Sequence, residues 1–229
     1  MMPGLNEILE AESGCAIGFV GGTGHGKSTI INRICGVELL PTTCDKSQGA
    51  VTAAITEISS WVLPREEFSL TVHFIEPVEW QNRVNLAREC PLREYDEERK
   101  GEREEGDGEV VEKMLQAMWG APRTNELYDA RTPEMDLLKP EMRTAMEKTS
   151  LEFNFKDLEE LKQKMHAYAS NDGSWWPLVR RMHVRGSFAF KGFSLLDIPG
   201  YGDGSKASYN AFMTGYNMSD VVYFVSKEV

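Results

Sequence analysis

Gly21-Gly22-Thr23-Gly24-His25-Gly26-Lys27-Ser28 lies between an apolar run, Cys15-Ala16-Ile17-Gly18-Phe19-Val20, and a segment whose residues Ile30, Ile31, Ile34 and Cys35 keep helical spacing. The run is short and ends in glycines, which predicts a buried strand. The spacing from Lys27 onward, stopped by Gly36, predicts a helix. G-x-x-x-x-G-K-[ST] between a strand and a helix is the arrangement that wraps a polyphosphate. Glycines let backbone N–H groups close around a β-phosphate, and the helix N-terminus adds partial positive charge. Gly22, Thr23, Gly24, His25, Gly26, Lys27, Ser28 and Thr29 are therefore candidate nucleotide-binding residues. Lys27 is expected to reach the β- and γ-phosphates, and Ser28 to place its hydroxyl on Mg²⁺. His25, at a variable position of the motif, reads as a surface-facing spacer outside the catalytic set.

Working outward, residues 37–51 look irregular, and the β-rich runs Ala54–Val62 and Phe68–Ile75, joined by Leu63-Pro64-Arg65-Glu66-Glu67, read as a hairpin. From Pro77 to about Pro177 charge and helix formers dominate, which predicts a helical insertion. Within it Arg93–Glu109 is too charged and too poor in apolar residues to offset its ordering entropy, and reads as a solvated loop. Val110, Val111, Met114, Leu115, Met118 and Trp119 then recur at helical intervals, as do Phe155, Leu158, Leu161, Met165 and Tyr168. Strand patterns return at Met182–Phe190 and Phe193–Ile198. A helix near Lys206–Tyr216 and a strand Val221–Val225 follow, with no internal repeat. The expected fold is α/β, a P-loop three-layer α/β/α arrangement with a mostly parallel sheet. Its core takes residues 14–76 and 181–229, and the insertion takes 77–180.

The second phosphate element is Leu195-Leu196-Asp197-Ile198-Pro199-Gly200. An acidic residue at a strand end can hold Mg²⁺ through a water, and the Gly200 N–H can sense a γ-phosphate when the following loop closes. Thr52, after Gly49 and at the start of a strand pattern, is a candidate to complete the metal shell, which would then comprise Ser28, Thr52 and Asp197. Lys27 and Thr52 are the residues expected to act on the transferring phosphoryl group.

Composition narrows the rest. A formal net charge of −11 argues against broad electrostatic binding to nucleic acid or anionic lipid, so a phosphate ligand must be held locally. Cys15, Cys35, Cys44 and Cys90 form no CxxC pair and no charged-then-apolar leader precedes them, so the expected compartment is cytosol or nucleus. No run approaches the ~20 apolar residues that cross a bilayer, and membrane contact is not indicated.

Taken together, GGTGHGKSTIINRICG, GAVTAAITEI, WWPLVRRMHVRG and LLDIPGYGD resemble the dynamin superfamily, in particular its branch resembling the nuclear GTPase of germinal-centre B cells. The resemblance runs from about Cys15 to Val225 and is thin between Arg93 and Leu151. It implies a GTPase domain using GTP and Mg²⁺, with Thr52 as the switch-I threonine and homodimerisation through the nucleotide face. Two positions depart. The family's serine two places before the last loop glycine is Gly24, so cation-assisted hydrolysis does not carry over. The position after D-x-x-G, a catalytic glutamine in Ras-like proteins, is Tyr201, so fast intrinsic turnover is not expected. No N/T-K-x-D element follows Val225, and Asn154-Phe155-Lys156-Asp157 has similar letters in the wrong order and place. The chain thus reads as lacking the C-terminal, guanine-reading part of the domain. Two other readings stand beside the GTPase: a non-enzymatic nucleotide-binding or interaction module, and an ATP-dependent kinase or ATPase. The kinase would need an Arg-rich lid; Arg180, Arg181 and Arg185 lie instead on a predicted strand entry, where a solvated or core-flanking role fits better.

Overall fold

In the computed structural model the described residues are 14–42, 54–61, 67–89, 107–121, 123–169, 174–200 and 206–226. Thr52, Tyr201, Cys44, Cys90 and most of the expected charged loop at 93–109 lie outside them. β1 (Ala16–Val20) runs into the glycine loop, and α1 (Lys27–Cys35) leaves it, as the spacing predicts. Gly36 ends α1 in a left-handed conformation, its N–H bonded to the Asn32 carbonyl.

Seven described strands form one sheet in the order β4-β3-β5-β2-β6-β1-β7. The others are β2 (Ile55–Ser60), β3 (Phe68–Phe74), β4 (Ser150–Phe155), β5 (Val179–Gly186), β6 (Ser194–Asp197) and β7 (Val221–Phe224). The α/β fold stands, with a mixed sheet rather than a mostly parallel one. β1 pairs in parallel with β6 and β7, and β2 with β5, while β2–β6, β3–β4 and β3–β5 are antiparallel.

Two sequence expectations are corrected here. β2 and β3 are not a hairpin, because β5 lies between them and pairs with both. Met182 and Val184 of β5 are fully buried beside Ile58, Leu70 and Val72, so the apolar demand of β2 and β3 is met by a strand from far along the chain. The stretch 77–180 is also not wholly helical. Its described α-helices are α2 (Pro77–Glu89), α3 (Asp107–Trp119), α4 (Thr124–Tyr128), α5 (Pro140–Glu147) and α6 (Leu158–Ala169), but β4 extends the sheet edge on β3.

The main core lies on one face of the sheet. Leu70, Val72, Met182, Val184 and Leu195 meet Ile31 of α1, Trp80 and Val84 of α2, Leu115 of α3 and Leu161 of α6. On the other face α7 (Lys206–Met218) covers a smaller cluster of Val20, Ile55, Leu196 and Ile198 through Phe212 and Met218. Helices on both faces make the three layers. Beyond the reach of α7 the second face turns polar, carrying Glu57 and Ser59 of β2, Arg181, His183 and Arg185 of β5, and Thr71 and His73 of β3 in register. Arg181 pairs there with Glu57 at 3.5 Å and Arg185 lies over the Trp61 ring, so these arginines belong to a polar sheet face, not to a lid.

Candidate functional site: a phosphate loop against a buried carboxylate

The loop is shaped by backbone freedom at its glycines, Gly21 (φ 152°) among them. Gly24 (φ 75°) and Gly26 (φ 92°) both take left-handed conformations that L side chains rarely adopt. Gly26 is the N-cap of α1 and contributes no side-chain cap, and the first turn of α1 holds no acidic residue. The N–H groups of the first turn and the positive end of the helix dipole therefore face the loop with no carboxylate of that turn to neutralise them.

Lys27 is nearly buried, and its Nζ donates to the carbonyls of Gly21 at 2.9 Å and Gly22 at 3.1 Å. That holds the ammonium across the loop. One residue on, the Ser28 hydroxyl donates to Asp197 Oδ2 at 2.9 Å. Asp197 ends β6 at 1% exposure, with its side chain on the α1 side of the sheet. Burial pushes this carboxyl up to about 6, against the opposing pull of the Ser28 hydrogen bond and the Lys27 charge. Its other oxygen, Oδ1, is buried without a hydrogen-bond partner among the described residues. A desolvated carboxylate oxygen beside a serine hydroxyl is a donor pair that fits a hard, oxygen-preferring cation such as Mg²⁺. No cluster of three or more His, Cys, Asp or Glu side chains suited to a metal occurs among the described residues.

Gly200 closes the arrangement. A Cβ built on it would lie 2.7 Å from both the backbone N and Oγ1 of Thr23, so only glycine lets the chain after β6 approach the loop this closely. The structure thus brings Gly22 through Ser28 together with Asp197 and Gly200. Thr29 follows on the exposed side of the first turn of α1. His25 departs from its expected role: the ring is half-buried, and Nδ1 reaches the Val225 carbonyl at 3.3 Å.

Asn32 went unread in the sequence. Buried on α1 one turn after Ser28, it donates to the Leu40 carbonyl at 2.8 Å and accepts from the N–H groups of Leu39 and Leu40. It fixes the turn that leaves the helix. A polar residue inside the stripe of Ile30, Ile31, Ile34 and Cys35 was the available signal.

A sequence model described as "Dynamin family" matches residues 17–228. The chain belongs to the dynamin family. No curated protein matches this dynamin-family chain. Among the solved structures that resemble it are two from work on an oligomerised bacterial dynamin pair described as a mechanism for long-range sensing and tethering of membranes. One is 14% identical with a TM-score of 0.47, over 93% of this chain and 22% of its own length. The other is 15% identical with a TM-score of 0.49, over 96% of this chain and 30% of its own. This dynamin-family chain therefore spans less than a third of either protein.

Proposed function

We propose that this dynamin-family domain binds GTP with Mg²⁺ and hydrolyses it. The observation that carries the reading is the convergence of the Lys27 ammonium, the Ser28 hydroxyl and the orphaned Oδ1 of Asp197 around a loop that Gly200 touches. Lys27 would turn from the loop carbonyls to the β- and γ-phosphates. Ser28 and Asp197 would hold Mg²⁺, with Thr52 completing the shell in the triphosphate state, and the Gly200 N–H would face the γ-phosphate. Mg²⁺ supplies charge neutralisation on the phosphate oxygens. Catalysis by these residues is then positioning and electrostatics. The core would take residues 14–76 and 181–229, with 77–180 as an insertion. The motif residues further favour the branch resembling the nuclear GTPase of germinal-centre B cells and pairing of two copies across the nucleotide face, and cysteines without a CxxC pair fit a cytosolic or nuclear setting. No described helix is long and apolar enough to cross a membrane.

A second reading, nucleotide binding without turnover, is favoured by one observation. Gly24 stands where the family has serine, and its φ of 75° is a conformation a serine would adopt only with strain. Labelled GTP and GDP binding in Mg²⁺, with phosphate release, separates the two. Lys27→Ala should abolish detectable triphosphate binding while circular dichroism stays unchanged. Undiminished affinity would reject the site, and binding without phosphate release at any protein concentration would select the second reading.

A further inference from the structure

β7 is held along one edge only: among the described strands it pairs with β1 alone, and Val221, Tyr223 and Phe224 are exposed. Its C-terminal end is fastened to the phosphate loop instead. The Val225 N–H donates to the Val20 carbonyl at 2.7 Å. The Val225 carbonyl sits against the first glycine of the loop, where a Cβ on Gly21 would come within 2.2 Å of it. The same carbonyl accepts from His25 Nδ1, which must carry the ring proton for this contact. The His25 ring also lies over Gly22, where an added Cβ would be 2.8 Å from Cε1 and Nε2, and the His25 N–H closes a turn to the Gly22 carbonyl at 3.2 Å.

We propose that His25 is a positioning residue that braces the phosphate loop against the end of β7 and couples loop occupancy to the order of that strand. A loop that binds by converging N–H groups works only if those groups are held before the ligand arrives. Lys27 cross-links the loop from inside, through the carbonyls of Gly21 and Gly22. His25 fastens it from outside, to a carbonyl of a different element. Because the brace joins two elements, coupling is reciprocal: a nucleotide that orders the loop orders the end of β7 by the same factor by which the fixed strand end favours the nucleotide. Only this nucleotide-linked part rests on the function proposed above; the brace itself does not.

The test compares the wild type, His25→Ala and His25→Asn by hydrogen exchange at the Val225 amide, with and without GDP, and by fluorescent GDP and non-hydrolysable GTP-analogue titration. Loss of one hydrogen bond should speed Val225 exchange in the free His25→Ala chain about tenfold and weaken both nucleotides about equally, again near tenfold. GDP should protect Val225 in the wild type and protect it far less in His25→Ala. His25→Asn, whose amide nitrogen can stand near the place of Nδ1, should restore both readouts in part. Unchanged Val225 exchange in free His25→Ala overturns the brace. So does a loss confined to the triphosphate, which would mark a direct γ-phosphate contact. Should the wild type bind no nucleotide at all, the proposed function fails, while the free-chain exchange still decides the brace.

Discussion

At Gly200 a single methyl group separates a closed site from an open one. Alanine there would push its Cβ to 2.7 Å from Thr23 N and Oγ1, so either the loop or the end of β6 has to move. Gly200→Ala is expected to lower triphosphate affinity more than tenfold with little loss of overall stability, as read by nucleotide titration beside thermal melting. Wild-type affinity would mean that the approach does not matter. A second residue sets a pH limit. Burial, with Arg185, Arg181 and His73 alongside, pushes His183 down to about 3 from its usual 6.5, and Ser59 bonds its Nε2 at 2.8 Å. Between pH 6.5 and about 3 the unfolded chain therefore binds more protons than the folded one. The stability contributed is fully present above pH 6.5 and declines as pH falls through that window, with a slope approaching ~1.4 kcal/mol per pH unit. The urea midpoint should fall from pH 7 to pH 6, and His183→Gln should flatten that fall; below about pH 6 the buried Asp197, pushed up from 3.8 to about 6, takes up its proton in the folded chain first and offsets the loss. His73, also lowered by burial, by Arg181 and against the pull of Glu57, should leave a residual slope of the same sign. An identical pH profile in His183→Gln would remove this assignment.

At the scale of elements, Arg88 near the end of α2 gathers the stretch that runs from the end of α4 to Glu134. Its guanidinium donates to the carbonyls of Leu127, Asp129 and Thr132 and pairs with Glu134 at 3.1 Å. Arg88→Met would leave those acceptors without their donor, and is expected to cost about 2–4 kcal/mol, measured by chemical denaturation. A loss below half a kcal/mol would show that water replaces the guanidinium. Elements also show what could be read in advance. β1, the loop and α1 were legible because strand, glycines and helix agree locally within one window of chain. β4 was not, although Leu151, Phe153 and Phe155 alternate with Glu152 and Asn154, because helix formers surround it and Phe155 also fits the helical stripe of α6. The supposed hairpin failed for a different reason. Neighbouring strands usually pair, and nothing between residues 54 and 75 reveals that β5 will separate them. Within the site, Asp197 and Gly200 were legible as a motif, whereas the brace at His25 and the clamp at Asn32 depend on contacts with Val225 and Leu40 that exist only after folding.

For the whole molecule, the net charge of −11 favours solubility, while β7 leaves Tyr223 at 56% and Phe224 at 71% exposure on a sheet edge that no other described strand covers. Self-association can therefore arise in two ways, and turnover tells them apart. If copies pair across the nucleotide face, phosphate release per chain should rise with chain concentration, and the rise should survive Phe224→Lys. A rate per chain independent of concentration would count against pairing, and a rise abolished by Phe224→Lys would assign it to the strand edge. The sheet order has a last consequence, for biosynthesis. The strand that fills the gap between β2 and β3 begins at Val179, roughly a hundred residues after β3 ends. At the ~5–20 residues per second of translation, both flanking strands emerge from the ribosome several seconds ahead of their shared partner. During that interval Ile58, Leu70 and Val72 have no β5 to cover them, so the nascent chain passes through a stage suited to chaperone capture.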